Sequence, residues 1–335
     1  MKNLQRDWND LWFKTVSTGP VGLVRLAIGL LILCGGLQLW PDRFAWFSEH
    51  GTLTTADAIL YNQAYTNGPR VITFLYNAGD GAITAFFVVY LLAAFLMTIG
   101  LWTRPAIFFV WLGLNAIHNR NMVVNTNGGD QIMLIFSAYL FMARSDGAFS
   151  VSRLLRIRAG KEDVNAPTML IWPQRLMQIQ VAVVYLSTFL NKTNGDLWQH
   201  GTAVYYPYMV KEFHRFPVPG LNSHNMTFIE FSTYATLAVE LALGTLIWVP
   251  RLRLYVLLAG VMLHLGIEYA MNIPLFGFLM IGTYLSFLRQ SDLDNFKAWL
   301  KRLKITLPSA VDLVKSKTDA TEPKSIAVDV VGGRR

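Results

Sequence analysis

Eight long apolar stretches, separated by polar connections, constrain this chain more than any other feature: Val21–Trp40, Ala82–Trp102, Arg104–Val123, Gln131–Ala143, Trp172–Lys192, Met226–Val249, Leu252–Met271 and Ile273–Leu288. A helix of about 20 apolar residues spans the hydrocarbon of a bilayer. Within lipid every backbone N–H and C=O has to be satisfied inside the protein, which selects helices for such segments. The expected fold is therefore all-α, a polytopic membrane helical bundle of about eight transmembrane helices. The fourth and eighth stretches are short and are expected to tilt or re-enter. Only 15% of the 335 residues are charged, against about 25% in soluble domains. Arg25 interrupts the first run and no small-residue cleavage site follows it, which excludes a cleavable signal. A lone cysteine, Cys34, excludes an intramolecular disulfide and any CxxC, zinc-finger or iron–sulfur reading.

The net charge of +8 is a matter of topology. Lys2, Arg6 and Lys14 precede the first stretch, and Arg144, Arg153, Arg156, Arg158 and Lys161 follow the fourth. Arg251 and Arg253 separate the sixth from the seventh, and the tail is again basic. With eight spans all of these share one side, so both termini are expected to be cytoplasmic. No excess then remains for nucleic acid. The opposite side receives two long connections, 41–81 and 193–225, rich in aromatic residues and expected to lie over the bundle. Leu293, Phe296, Leu300, Leu303 and Leu307 recur at helical spacing among lysines and arginines, the pattern of an amphipathic helix on the cytoplasmic surface. The chain thus divides into a stub (1–14), a transmembrane domain (15–290), a surface helix (291–307) and a polar tail (308–335) expected to be disordered.

Ionisable groups at membrane depth need a partner, a water path or a task. Here they are Arg25, His118, Arg120, Asp130, Arg175, Lys192, Glu230, Glu240, His264 and Glu268. Gln178, Tyr185 and Lys192 are seven apart and share one stripe of the fifth segment. His264 and Glu268 are an i,i+4 pair, so the carboxylate can orient the imidazole. Gly128-Gly129 permits a tight re-entry turn that Asp130 would cap. Structural readings stand beside these. Lys192 can snorkel to the headgroups, His118 and Arg120 can be interfacial anchors, and Arg25 can form an ion pair with Glu240 or Glu230. No metal-ligand spacing, HExxH, GxSxG or P-loop occurs.

The run Trp172-Pro173-Gln174-Arg175-Leu176-Met177-Gln178, then Val184-Tyr185, Asn191-Lys192 and Asp196-Leu197-Trp198-Gln199-His200-Gly201, resembles the HTTM domain, the membrane domain shared with vitamin K-dependent gamma-carboxylases. The resemblance continues through His118-Asn119-Arg120-Asn121, Asn127-Gly128-Gly129-Asp130, Asp146-Gly147, Glu240, Arg251, and His264 followed by Phe276, over roughly residues 15–290. It implies an outward-facing site in which a lysine activates a reduced quinone, which in turn deprotonates a glutamate side chain for carboxylation. Lys192 falls on that lysine, His264 on a family histidine and Glu240 on a family acidic position. Asn191 stands where animal carboxylases carry a second lysine, and nothing resembles their large propeptide-binding domain.

Two readings follow. In the first the chain is a membrane catalyst: Lys192 is the base, His264 oriented by Glu268 a proton shuttle, and His118, Arg120, Asp130, Trp198 and His200 position the substrate. Arg25, Arg175, Gln178, Tyr185 and Glu240 are structural polar groups, and a reduced quinone or other small lipophilic molecule is the expected cofactor or ligand. A lysine base has to be partly desolvated, which Trp198, Tyr205 and Tyr206 would provide. In the second reading the chain is a non-catalytic membrane partner, a maturation or immunity subunit, or a small-molecule binder, and its polar cluster docks a protein. A transporter is a weaker third option, since no inverted repeat or broken half-helices occur.

Overall fold

The computed structural model describes residues 2–65, 73–121, 128–165 and 167–303. Each of the eight apolar stretches contains a helix: α1 Gly19–Leu39, α2 Asp80–Ile99, α3 Thr103–Arg120, α4 Gly128–Met142, α5 Trp172–Thr193, α6 Met226–Gly244, α7 Arg253–Ala270 and α8 Phe276–Tyr284. Four of them, α1, α2, α6 and α7, are long and apolar enough to cross a membrane. Helices α3 and α5 are as long but carry polar groups that the bundle buries, among them His118, Asn119, Arg120, Gln174 and Gln178. The sixth stretch is shorter than its hydropathy implies: α6 stops at Gly244, and a 3₁₀ turn, Leu246–Trp248, continues it. The eighth ends in a second such turn, Leu285–Phe287.

Successive helices run in alternate directions, and contacts between distant segments fix two ends. At the first end the start of α1 meets the end of α2: the Arg25 guanidinium donates to Met97 O and Thr98 O. The same guanidinium reaches Ser145, Ala148 and Phe149 beyond α4. Here too Gln174, near the start of α5, donates to Ser286 O at 2.7 Å, and Arg253 at the start of α7 pairs with Asp292 at 2.8 Å. At the second end Arg120 Nη2, closing α3, donates to Ser48 O and Leu53 O, and Arg215 pairs with Glu268 in the last turns of α7. One core runs through the bundle, with Val24, Ile28, Phe87, Val110, Phe136, Met177, Leu243 and Leu279 in its interior.

Two expectations change, and the stub acquires a structure. An antiparallel pair of short strands, β1 Thr15–Ser17 and β2 Thr168–Leu170, closes the first end, with Val16 opposite Met169; among the described residues the fold is helical with this one small ladder. The stub is itself a helix, Lys2–Trp12. Asp130 lies inside the first turn of α4, which begins at Gly128, rather than at the N-cap position, and a carboxylate there favours the helix N-terminus. The surface helix is present as Gln290–Arg302, whereas Leu307 and the tail 308–335 lie outside the described residues.

Candidate functional site

Side chains on an α-helix lean toward its N-terminus. Lys192, in the last turn of α5, therefore points back along its own helix into the bundle, where its ammonium pairs with Glu240 of α6. Glu240 is 8% exposed at its side chain and Lys192 28%, and the Lys192 amine lies 4.7 Å from the Trp198 ring centroid. This position is not that of a lysine reaching outward to headgroups. It is also the site's main gain over the sequence, in which Lys192 and Glu240 are 48 residues apart with nothing to pair them.

Seven residues deeper on the same stripe, about 10 Å along the axis, the buried Tyr185 hydroxyl hydrogen-bonds His264 Nε2 of α7 at 2.7 Å and the Tyr284 hydroxyl of α8. A further turn-pair down, Gln178 donates to Ser286 O at 2.7 Å. The stripe of α5 thus engages α6, α7 and the α8 region in order. Helices α7 and α8 approach closely beside it. A Cβ at Gly277 would sit 2.7 Å from His264 O, and one at Gly260 2.8 Å from the Tyr284 hydroxyl.

His264 and Glu268 do not orient one another as their spacing suggests. The Glu268 carboxylate accepts from Arg215 at 2.9 Å and from the Gly277 amide at 3.2 Å, both closer to the helix end. His264 takes Tyr185 instead, and its Nδ1 is buried without a hydrogen-bond partner, as is Glu240 Oε2. Tyr284, Arg215 and Gly277 have no sequence signal that singles them out; only the packing of α8 and of the 193–225 connection brings them in.

The remaining candidates sit elsewhere. Asn119 O accepts from Asn62 (2.7 Å) and Tyr76 (2.8 Å), while Arg120 and Asn121 donate to carbonyls at 46–53. The His118-Asn119-Arg120-Asn121 run, buried throughout, holds down the first long connection through Arg120 Nη2, while Arg120 Nε and Nη1 are buried without hydrogen-bond partners. His200 is exposed and closes its own turn through Nδ1 and Asp196 O. Arg175 lies at the first end, donating to Gln178 and stacked 5.9 Å from Trp248. Arg25 bonds five carbonyls and no glutamate, so the expected Arg25–Glu240 or Arg25–Glu230 pair is replaced by a backbone knot. A cavity of about 520 Å³ also lies at the first end, well away from Lys192, lined by Arg104, Arg144 and Arg156 among others.

Fold and site together define a helical membrane protein with paired ionisable groups held inside its bundle. The family model of the HTTM domain matches residues 55–291, and the chain belongs to that family. It is similar to the sporulation-delaying protein SdpB of Bacillus subtilis (strain 168), at 25% identity over 152 residues, 42% of this chain and 45% of that protein. The chain therefore aligns with less than half the length of this relative. No solved structure matches it significantly.

Proposed function

We propose that this chain is an integral membrane catalyst of proton transfer, acting on a small lipophilic hydroxylated molecule of the reduced-quinone class, with Lys192 as the base. The observation that carries this reading is the inward Lys192–Glu240 pair, with Glu240 Oε2 unpartnered in it and His264 Nδ1 unpartnered about two helical turns deeper. A buried polar atom without a partner is costly, and two such atoms on helices packed along the α5 stripe suit a ligand that supplies hydroxyl groups. A reduced quinone fits, since it carries two hydroxyls on an apolar ring. When bound, it would supply the electron-rich ring that reacts with an oxidant.

The chain's own residues would do the rest. In the apolar interior a proton shared by an amine and a carboxylate costs little to shift within the pair, because the pair stays neutral overall. Glu240 takes the proton of Lys192, leaving a free amine that accepts a ligand hydroxyl proton. His264, held through Nε2 by Tyr185, offers Nδ1 to the second hydroxyl. Trp198 covers the amine and limits water. Eight spans with both termini cytoplasmic would put this site toward the outer leaflet; the alternating helix directions and the basic residues gathered at the first end support that arrangement.

The test is the wild-type protein in lipid nanodiscs, given a reduced naphthoquinone under oxygen and followed by absorbance, with bound small molecules identified by mass spectrometry. Lys192→Arg keeps the cation but does not give up its proton; it should lose at least about 10²-fold in rate while remaining folded. Wild-type turnover in Lys192→Arg sinks the base assignment. A wild type that neither turns over nor retains a quinone, but copurifies with a stoichiometric protein, replaces this reading with that of a non-catalytic subunit.

A further inference from the structure

The cavity at the first end is built for an anion. It is lined by Trp102, Thr103, Arg104, Arg144 and Arg156, with Asp146 as the acid among its lining residues. Arg156 is committed to Asp146 at 2.8 Å and Glu162 at 2.6 Å. Arg144 shares Glu162 at 3.0 Å and keeps 44% of its side chain exposed. Arg104 has no ion pair among the described residues. Two arginines therefore face the cavity with unspent charge.

The cavity also takes in the N-terminus of α3, an 18-residue helix that starts without a side-chain cap. Such an end favours an anion through its free amides and its dipole. Independently, Thr103 is 5% exposed, and its Oγ1 is buried with no hydrogen-bond partner. Two guanidinium groups and the amides of Thr103 and Arg104 at one cavity are partners of a phosphate, with the Thr103 side chain in its wall.

The rim decides the source of that phosphate. Trp102, at the mouth, is 70% exposed, and Phe108 lies four residues beyond Arg104 on the same face of α3. Phe108 is 47% exposed and packs on Phe141, 42% exposed, with ring centroids 6.5 Å apart. The anion site thus opens onto an apolar strip that an acyl chain can follow. We propose that this cavity binds the phosphate of an anionic phospholipid, with the headgroup against Thr103, Arg104 and Arg144 and a chain along Phe108 and Phe141.

Native mass spectrometry of the detergent-purified full chain, incubated with phosphatidylglycerol, phosphatidylcholine or inorganic phosphate, tests this. Wild type should retain phosphatidylglycerol, with phosphatidylcholine bound at least about tenfold more weakly. Arg104→Gln/Arg144→Gln should lose at least about tenfold in phosphatidylglycerol retention, near the effect expected for two cations. Arg104→Gln alone, which breaks no ion pair, should lose severalfold with an unchanged melting temperature, so that misfolding of the double variant does not decide the matter. Equal phosphatidylglycerol retention by wild type and Arg104→Gln overturns the site. Binding of inorganic phosphate without any lipid overturns the lipid assignment.

Discussion

Arg25→Met offers the sharpest test of how this bundle handles buried charge. Arg25 is fully buried, and its five N–H groups are matched by five carbonyls: Nε to Ser145 at 3.0 Å, Nη1 to Met97 at 2.6 Å and Thr98 at 2.8 Å, Nη2 to Phe149 at 2.5 Å and Ala148 at 3.4 Å. Met97 O also accepts from the Gly100 amide, so it survives the loss of the guanidinium. The other four do not. At about 1–3 kcal/mol for each orphaned buried acceptor, the gross cost is roughly 4–12 kcal/mol. Removing the cation restores several kcal/mol of desolvation. A net loss of about 3–5 kcal/mol is expected, a fall in melting temperature of roughly 6–10 °C. Arg25→Lys, with three donors, should fall between. Differential scanning fluorimetry in one detergent is the assay. A melting temperature of Arg25→Met within a degree of wild type would refute the knot. Glu240→Gln should leave this end of the bundle untouched, the opposite of what an Arg25–Glu240 ion pair requires.

Two other perturbations are specific. Gly277→Ala forces a Cβ within 2.7 Å of His264 O and 3.0 Å of Glu268 Oε2, which should destabilise by about 1–3 kcal/mol and lower any quinol turnover; wild-type melting would show that α7 and α8 are not in contact there. The Glu49 carboxylate accepts from the Thr55 amide at 2.9 Å and is held below the ordinary glutamate range, chiefly by hydrogen bonding from Thr55. Its stabilising effect on the Thr55–Tyr65 helix is thus present above the ordinary glutamate range, about 4.3, and is lost as pH falls through the lower folded value. Thr55 amide exchange, corrected for its intrinsic pH dependence, should lose protection on that descent and not in Glu49→Gln.

The helices were legible because an apolar run in lipid leaves the backbone no other structure. All eight stretches contain a helix, with ends displaced by a few residues where capping intervenes. Gly100, at φ +70, stops α2 before Trp102, and Thr245 interrupts the sixth run ahead of its 3₁₀ turn. The β1–β2 ladder was not legible. Three residues give no usable alternation, and the pairing joins segments about 150 residues apart through backbone groups alone.

The site was half legible, and the reason lies in where side chains point. Spacing placed Gln178, Tyr185 and Lys192 on one stripe and His264 with Glu268 on another, and each stripe does face the interior. Partners are set across helices, however, where sequence distance carries no information: Lys192 takes Glu240, His264 takes Tyr185, and Glu268 takes Arg215. The i,i+4 rule describes an isolated helix surface, where a neighbour on the same helix competes only with water. In a bundle interior a better-placed donor from another helix or loop wins, and Arg215 removes Glu268 from His264 in this way. The consequence bears on the chemistry. Lys192 with Glu240 and Arg215 with Glu268 are two charge-balanced pairs, and His264 stands between α5 and α8 with one nitrogen open. A proton moved within the first pair would change no net charge in the apolar interior, so the proposed transfer would not require the helices around it to reorganise.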